Sequence, residues 1–375
     1  MKHKDLKSVG KTLPRIDAIG KVTGKAVYTE DIKFPGMLYG KVLRPPYPHA
    51  KIISIDTSQA EELVGVEAVL THKDIPGSNK VGVAITADQR ILADDKVRYM
   101  GDGVALVAAK SEAIADKACS LIKVEYQQLP SIHDPEKAMS PQAPKIHGDS
   151  NVVCHHKVRK GDTEKGFKES DIILERDFTT QMIEHSYIEP ECVVGLPLPD
   201  GGIKLYGCFQ NIFTSRRIIA QVLNLPIHKV EAIQTNIGGS FGGKDDVMNI
   251  LGARVGLLAL KTGRPVKITY AREESMIDSY KRHPYKLKYK IGLMKDGTIK
   301  AAEIQIFANA GAYASMTEFV TWRSVVHATG PYRVENVSTD VYGVYTNSNY
   351  TGAMRGFGSP QIIPVSYTHL TLPTN

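Results

Sequence analysis

Two glycine-rich segments are the places where this sequence exposes backbone chemistry. Gly238-Gly239-Ser240-Phe241-Gly242-Gly243-Lys244-Asp245-Asp246 lies between a strand-like run and the most strongly helical stretch of the chain. In such a loop successive amides can point at an anion, and the helix N-terminus adds partial positive charge. Missing side chains also let a ligand approach the backbone closely. Gly238 to Lys244 fit the first seven positions of a Walker phosphate loop. The next position fails, because Asp245 stands where a Ser or Thr hydroxyl would hold magnesium, and a carboxylate there repels phosphate. A tight turn without a ligand competes with both readings, but a turn built only for tightness has no need of Phe241. The second segment, Gly352-Ala353-Met354-Arg355-Gly356-Phe357-Gly358, again sets a ring and a cation among glycines. It offers amides and an aromatic face for stacking a flat substrate; a hairpin end with a core phenylalanine is the alternative.

Other clusters point to structure. Cys154-His155-His156 could bind a metal, but adjacent residues of a strand face opposite ways. Glu184, Glu189 and Glu191 are close in sequence, yet Pro190 marks a turn, and a structural role is expected. Four cysteines (Cys119, Cys154, Cys192, Cys208) are widely spaced, with no CxxC pair. This argues against a disulfide scaffold and a zinc knuckle and suits a reducing compartment.

The elements that must position these loops read as mixed α and β. Residues 36–44 form a strand stopped by Pro45-Pro46. Residues 57–63 form a short helix, and 66–70 and 103–108 are β-branched strands. Ser111 caps a helix over 112–123, in which Ile114, Ala118, Leu121 and Ile122 recur at helical spacing. Four prolines between Pro130 and Pro144 mark a linker. Beyond it, strands are expected at 172–178, 193–196, 203–208, 229–234, 266–270, 285–293 and 298–307, the last two joined through Asp296-Gly297. Helices are expected at 215–223 and 246–260, the second stopped by Gly263 and Pro265.

The 375 residues are 42% hydrophobic and 23% charged, which excludes wholesale disorder and allows two or three domains. The net charge of +7 is not gathered into a basic run, so neither a nucleic-acid nor a membrane partner is expected. The longest apolar stretch, Gly252 to Leu260, is short and contains Arg254, and Met1 to Gly20 lack an apolar segment. A cytoplasmic protein without a signal peptide or membrane span is the expectation.

Taken in order, several motifs resemble the molybdopterin-binding subunit of the xanthine dehydrogenase/aldehyde oxidase family of molybdenum hydroxylases. They are His185-Ser186-Tyr187-Ile188-Glu189-Pro190, Phe209-Gln210-Asn211, Gly238–Lys244, Arg282-His283-Pro284 and Gly352–Gly358 with Ser359-Pro360-Gln361. Gly24-Lys25-Ala26-Val27-Tyr28 and its surroundings resemble the family's hammerhead domain. The resemblance implies an α+β fold: an N-terminal extension (1–19), a hammerhead-type α/β domain (20–130), a linker (131–150) and the first part of a molybdopterin-binding α+β domain (151–365). Residues 366–375 do not continue the pattern and are expected to be a non-native tail. The family's general-base glutamate is expected in a later portion of the fold, so this chain by itself is expected to be inactive.

The same resemblance implies site roles. Gln210, Gly239, Phe241, Gly242 and Arg355 would bind the cofactor. Gln210 would hydrogen-bond an oxygen ligand of molybdenum, and the Phe241 and Arg355 amides would face its ligand shell. Asp245, Arg323 and Phe357 would meet the substrate, with Asp245 standing where xanthine-type enzymes carry a glutamate. The implied cofactor is molybdenum–molybdopterin, with the cytosine dinucleotide form left open; 2Fe–2S clusters and FAD would sit on partner subunits. The implied activity is oxidative hydroxylation of a purine or other N-heteroaromatic compound, with water as the oxygen source. Aldehydes and nicotinate-type acids are the alternatives within the family, and a nucleotide-binding P-loop protein is the alternative outside it.

Overall fold

The computed structural model describes residues 7–363. At its centre lies the helix Asp246–Thr262, in which every residue from Asp246 to Ala259 is buried. A helix largely apolar and buried on all sides must be surrounded rather than laid on a surface. One flank packs on the helix Ile212–Val222 and another on a seven-stranded sheet. The strand order of that sheet is Val230–Gln234, Ile203–Gly207, Cys192–Pro197, Val266–Thr269, Leu38–Leu43, Ala105–Ala109, Val66–Leu70. Leu38, Val193, Leu205, Phe209, Val255 and Ile268 fill the core between these layers.

The central pairing of the sheet joins segments far apart in sequence. Leu38–Leu43 runs parallel to Val266–Thr269, with Leu38 opposite Val266 and Tyr39 opposite Lys267. The sheet therefore continues across the proline-rich segment at 131–150. That segment is itself tied down: the Asn151 amide donates to Pro144 O at 2.8 Å and Ala138 O at 3.0 Å, and His147 Nε2 donates to Ala312 O at 2.7 Å.

A second, five-stranded sheet has the order Ile172–Thr179, Tyr285–Leu293, Ile299–Gly311, Asn336–Tyr345, Val152–Lys160. Its inner hairpin turns at Asp296-Gly297, as the sequence predicts. Ile299–Gly311 and Asn336–Tyr345 are parallel, which requires a crossover. The helix Thr317–His327 makes it, packing Val325 against Leu287, Ile304 and Val341.

Most expected elements are present within a residue or two. Ser111 caps Glu112–Leu121 by accepting from the Ile114 N–H at 3.3 Å. The helix expected from 215 starts earlier, at Ile212, because Asn211 accepts from the Thr214 N–H and supplies the cap. The helix Thr317–His327 and the strands Val152–Lys160 and Asn336–Tyr345 are additions to the sequence reading. Residues 1–6 and the expected tail at 366–375 lie outside the described residues. The α+β class holds, and among the described residues no helix is long and apolar enough to cross a membrane.

Candidate functional site

The two glycine loops meet. The Arg355 N–H donates to Phe241 O at 2.9 Å, joining the loop before the helix Asp246–Thr262 to the loop at 352–358. Gly242, at φ +98°, makes this approach possible, since a Cβ there would lie 2.9 Å from Ala353 O. Gly239, at φ +106°, faces the Tyr187 side chain, and a Cβ there would lie 3.0 Å from Tyr187 Cβ. Phe241 and Phe357 both adopt left-handed backbone conformations, at φ +55° and +51°. For a bulky residue this costs on the order of 1–3 kcal/mol, and it persists only where the surroundings over-determine it. Phe241 is 48% exposed and Phe357 half-buried, so neither ring is held there by core packing alone.

Those surroundings are a buried polar scaffold beneath the first loop. Glu189 Oε2 accepts from the Gly238 N–H at 2.7 Å and from Lys244 Nζ at 2.8 Å. Lys244 is fully buried, with its ammonium 4.7 Å from the centre of the Tyr187 ring. The Tyr187 hydroxyl donates to Glu191, a carboxyl whose pKa is raised by burial. The Tyr280 hydroxyl donates to Gly242 O and accepts from the Asp245 N–H at 2.9 Å. Under the second loop, His185 Nε2 donates to Ala353 O at 2.8 Å, and burial lowers its pKa, so the ring is neutral. The lysine that a phosphate loop would aim at its ligand is thus bound beneath the loop by a carboxylate. The geometry lends nothing to the P-loop alternative.

Above this scaffold the donors are open. The amides of Gly239, Ser240, Phe241 and Gly242 donate to no group among the described residues. Consecutive free amides at a helix N-terminus form a nest for an anion or an oxygen-rich group. Gln210 joins them from the end of the Ile203–Gly207 strand. Its own N–H donates to Lys244 O at 3.0 Å, and its side-chain oxygen accepts from the Ser240 hydroxyl. The carboxamide NH2 of this exposed side chain has no acceptor among the described residues. Gln210, Phe241 and Arg355 therefore converge on one edge of the fold. One expectation changes: the Arg355 amide is already engaged with Phe241 O, so it acts as the tie between the loops.

The residues expected at the substrate differ in how they are held. Asp245 is 7% exposed, its Oδ1 has no partner among the described residues, and burial raises its pKa. It stands at the helix N-terminus without making a side-chain capping bond, so capping does not account for it. Arg323 lies on the exposed face of Thr317–His327, with no ion-pair partner among the described residues. Its helix abuts the second loop: a Cβ on Gly358 would lie 2.4 Å from Val320 O and 2.7 Å from Ser324 Oγ.

The clusters assigned to structure are engaged. His155 Nε2 lies 2.7 Å from Asp340 Oδ1, His156 Nε2 donates to Glu318 O at 3.0 Å, and Cys154 Sγ lies 3.2 Å from Thr321 Oγ1. Among the described residues no group of three or more His, Cys, Asp or Glu could hold a metal ion. Sequence alone assigns no role to Tyr187 or Tyr280 and only a structural one to Glu189. The His-x-x-x-Glu-Pro spacing is the available signal for the glutamate, and Tyr280 has none.

A family model described as the molybdopterin cofactor-binding domain matches residues 146–370. One described as the aldehyde oxidase and xanthine dehydrogenase, a/b hammerhead domain matches residues 23–130. The chain is 45% identical over 356 residues to a probable xanthine dehydrogenase subunit of Bacillus subtilis, covering 95% of this chain and 47% of that one. It is 41% identical over 358 residues to the nicotinate dehydrogenase large molybdopterin subunit of Eubacterium barkeri, covering 96% of this chain and 84% of that one. The chain thus spans about half the length of the Bacillus relative. Among solved structures, the aldehyde oxidoreductase of Desulfovibrio gigas superposes with a TM-score of 0.88 at 31% identity, over 94% of this chain and 40% of that one. The chain accordingly belongs to the molybdopterin cofactor-binding proteins of the aldehyde oxidase and xanthine dehydrogenase family.

Proposed function

We propose that this chain forms one wall of the molybdenum–molybdopterin pocket of an oxidoreductase that hydroxylates a purine or another N-heteroaromatic compound. The observation that carries the reading is the convergence of two glycine loops and Gln210, which leaves four consecutive amides and a carboxamide NH2 unengaged. An oxygen-rich, anionic cofactor fits such a donor set, and no side chain at Gly239 or Gly242 fills the space. When bound, the cofactor supplies oxygen transfer from water and two-electron redox chemistry.

The chain's own residues bind and orient. Gln210 Nε2 and the Phe241 amide would hold the metal end of the cofactor by donating to it. Phe357 presents its ring to a planar substrate. Asp245, whose carboxyl burial makes harder to ionise, would meet the substrate ring through Oδ1, which has no partner among the described residues. Arg323, always cationic and without an ion-pair partner among the described residues, would stabilise negative charge growing on the ring. The same guanidinium would pair with a substrate carboxylate, so a nicotinate-type acid is the second reading; the likeness to the Eubacterium protein favours it.

FAD and 2Fe–2S clusters on separate subunits complete the proposed electron path, in the cytoplasm. The test is turnover of the purified assembly with purine, nicotinate and aldehyde substrates in isotope-labelled water. Label in a hydroxylated heteroaromatic product is expected; product oxygen derived only from dioxygen would contradict the proposal.

A further inference from the structure

Behind the glycine cradle, the first turn of the helix Asp246–Thr262 borders a cavity of about 10 Å³. That is room for a single water. Its polar lining comes from Asp88, Gln89, Asp246, Asn249 and Ser315. Three of these side chains carry an atom without a hydrogen-bond partner among the described residues: Asp246 Oδ1, Asp88 Oδ1 and Asn249 Nδ2. Asp246 is 3% and Asn249 1% exposed, so bulk solvent does not supply what is missing.

Each group is fixed through its other polar atom. Ser315, itself at φ +45°, donates its hydroxyl to Asp246 Oδ2. Asp88 Oδ2 accepts from the Ala314 N–H at 2.9 Å and the Tyr345 hydroxyl at 2.7 Å. The Ser215 hydroxyl donates to Asn249 Oδ1 at 2.6 Å, leaving the NH2 over. Two carboxyl oxygens and one donor therefore border a space of one water.

The charged and titratable neighbours do not neutralise this pair. Asp246 is faced by Asp245, Asp88, Tyr280 and Tyr350. Asp88 is faced by Tyr345, Tyr313, His147 and Arg98. The Arg98 guanidinium is bound to Asp95 at 3.1 Å. His147 donates to Ala312 O, and burial pushes its pKa down to about 3, so it stays neutral beside Asp88. Two ionised carboxylates bordering one small cavity without a cation of their own are strongly disfavoured.

We propose that Asp246 and Asp88 share one proton across this cavity through a single bound water, to which Asn249 Nδ2 donates, forming a proton-holding site distinct from the cofactor cradle. The directions of titration agree. Burial pushes Asp246 up to about 7 and Asp88 up to about 6. The folded chain then binds more protons than the unfolded one, whose aspartates titrate near 4, so stability falls as pH rises from about 4 to about 7.

The test combines infrared spectroscopy with thermal unfolding of the full chain and its Asp88→Asn and Asp246→Asn variants. Wild type at pH 6 is expected to show a protonated-carboxyl carbonyl band that shifts in deuterated water and titrates away towards pH 8. Either variant should lose that band. The double variant should also lose most of the fall in melting temperature between pH 5 and pH 8. Absence of the band from wild type would overturn the proposal, as would its persistence in both single variants. A melting temperature raised by sodium or potassium at constant ionic strength, in wild type but not in the double variant, would show a cation in place of the proton and would equally overturn it. Should the aspartate variants fail to fold, Asn249→Ala is read in their place: loss of its Nδ2 donor is expected to shift the frequency of the wild-type band, and an unshifted band would overturn the proposal.

Discussion

On the proposed reading, removing Gln210 tests binding of the cofactor and removing Arg323 tests recognition of the substrate. Among the described residues, Gln210 hydrogen-bonds only through its backbone amide and its carboxamide oxygen. Gln210→Ala should leave the unfolding midpoint within experimental error while lowering turnover of the loaded assembly about 10–100-fold, the usual cost of losing a group that orients a metal ligand. Unchanged turnover would remove Gln210 from the metal's surroundings. Arg323→Met removes a charge that nothing in the described chain uses. Losing a charge-assisted hydrogen bond of about 1.5–3 kcal/mol predicts a fall of roughly 10–100-fold in kcat/KM for purines or nicotinate. Neutral aldehydes should fall far less, and equal losses would place the arginine outside the substrate site.

The loops make sense only as elements held by what lies beneath them. Lys244→Met leaves Glu189 facing the loop without its cation, and breaking such a buried pair costs about 3 kcal/mol. A urea midpoint lowered accordingly, and partly restored by adding Glu189→Gln, is the expected result. Gly242→Ala should cost about 1–3 kcal/mol through backbone strain and push apart the contact with Ala353.

The glycine loops and the long central helix were legible in the sequence because glycine spacing and a largely apolar run stopped by Gly263 and Pro265 are local signals. The helix Thr317–His327 was not, because Thr317, Val320, Thr321, Val325 and Val326 are β-branched and read as strand or loop until a crossover demands a helix. The open amides could be foreseen from the glycines. The engagement of Arg355 with Phe241 O depends on a loop more than a hundred residues away and could not.

At the scale of the whole molecule, one carboxylate joins the N-terminal and central segments. Asp278 Oδ2 accepts from Arg254 Nη1 at 2.9 Å and from Arg44 Nη2 at 3.0 Å, while the Tyr99 hydroxyl lies 3.2 Å from Oδ1. Burial alone would raise its pKa, but the two guanidiniums outweigh burial and hold it below the usual carboxylate range. A depressed folded pKa gives stability that is present above about pH 4 and lost as pH falls below it. Urea midpoints measured from pH 7 down to pH 3 should therefore drop, and Asp278→Asn should be weaker at pH 7 and less sensitive to acid. An unaltered acid profile would deny the node its role. No local pattern announces such a node, since its arginines and aspartate come from segments brought together by the pairing of Leu38–Leu43 with Val266–Thr269.

Molybdenum and extractable pterin per chain, measured on the assembly purified from molybdate-fed cells alongside its Gly242→Ala variant, probe the cradle most directly. Near-equimolar metal and pterin in wild type, with both strongly reduced in a variant that keeps its helix and strand content, is the predicted result. A wild-type assembly that turns over substrate without molybdenum, or a Gly242→Ala variant that retains both metal and pterin in full, would contradict it.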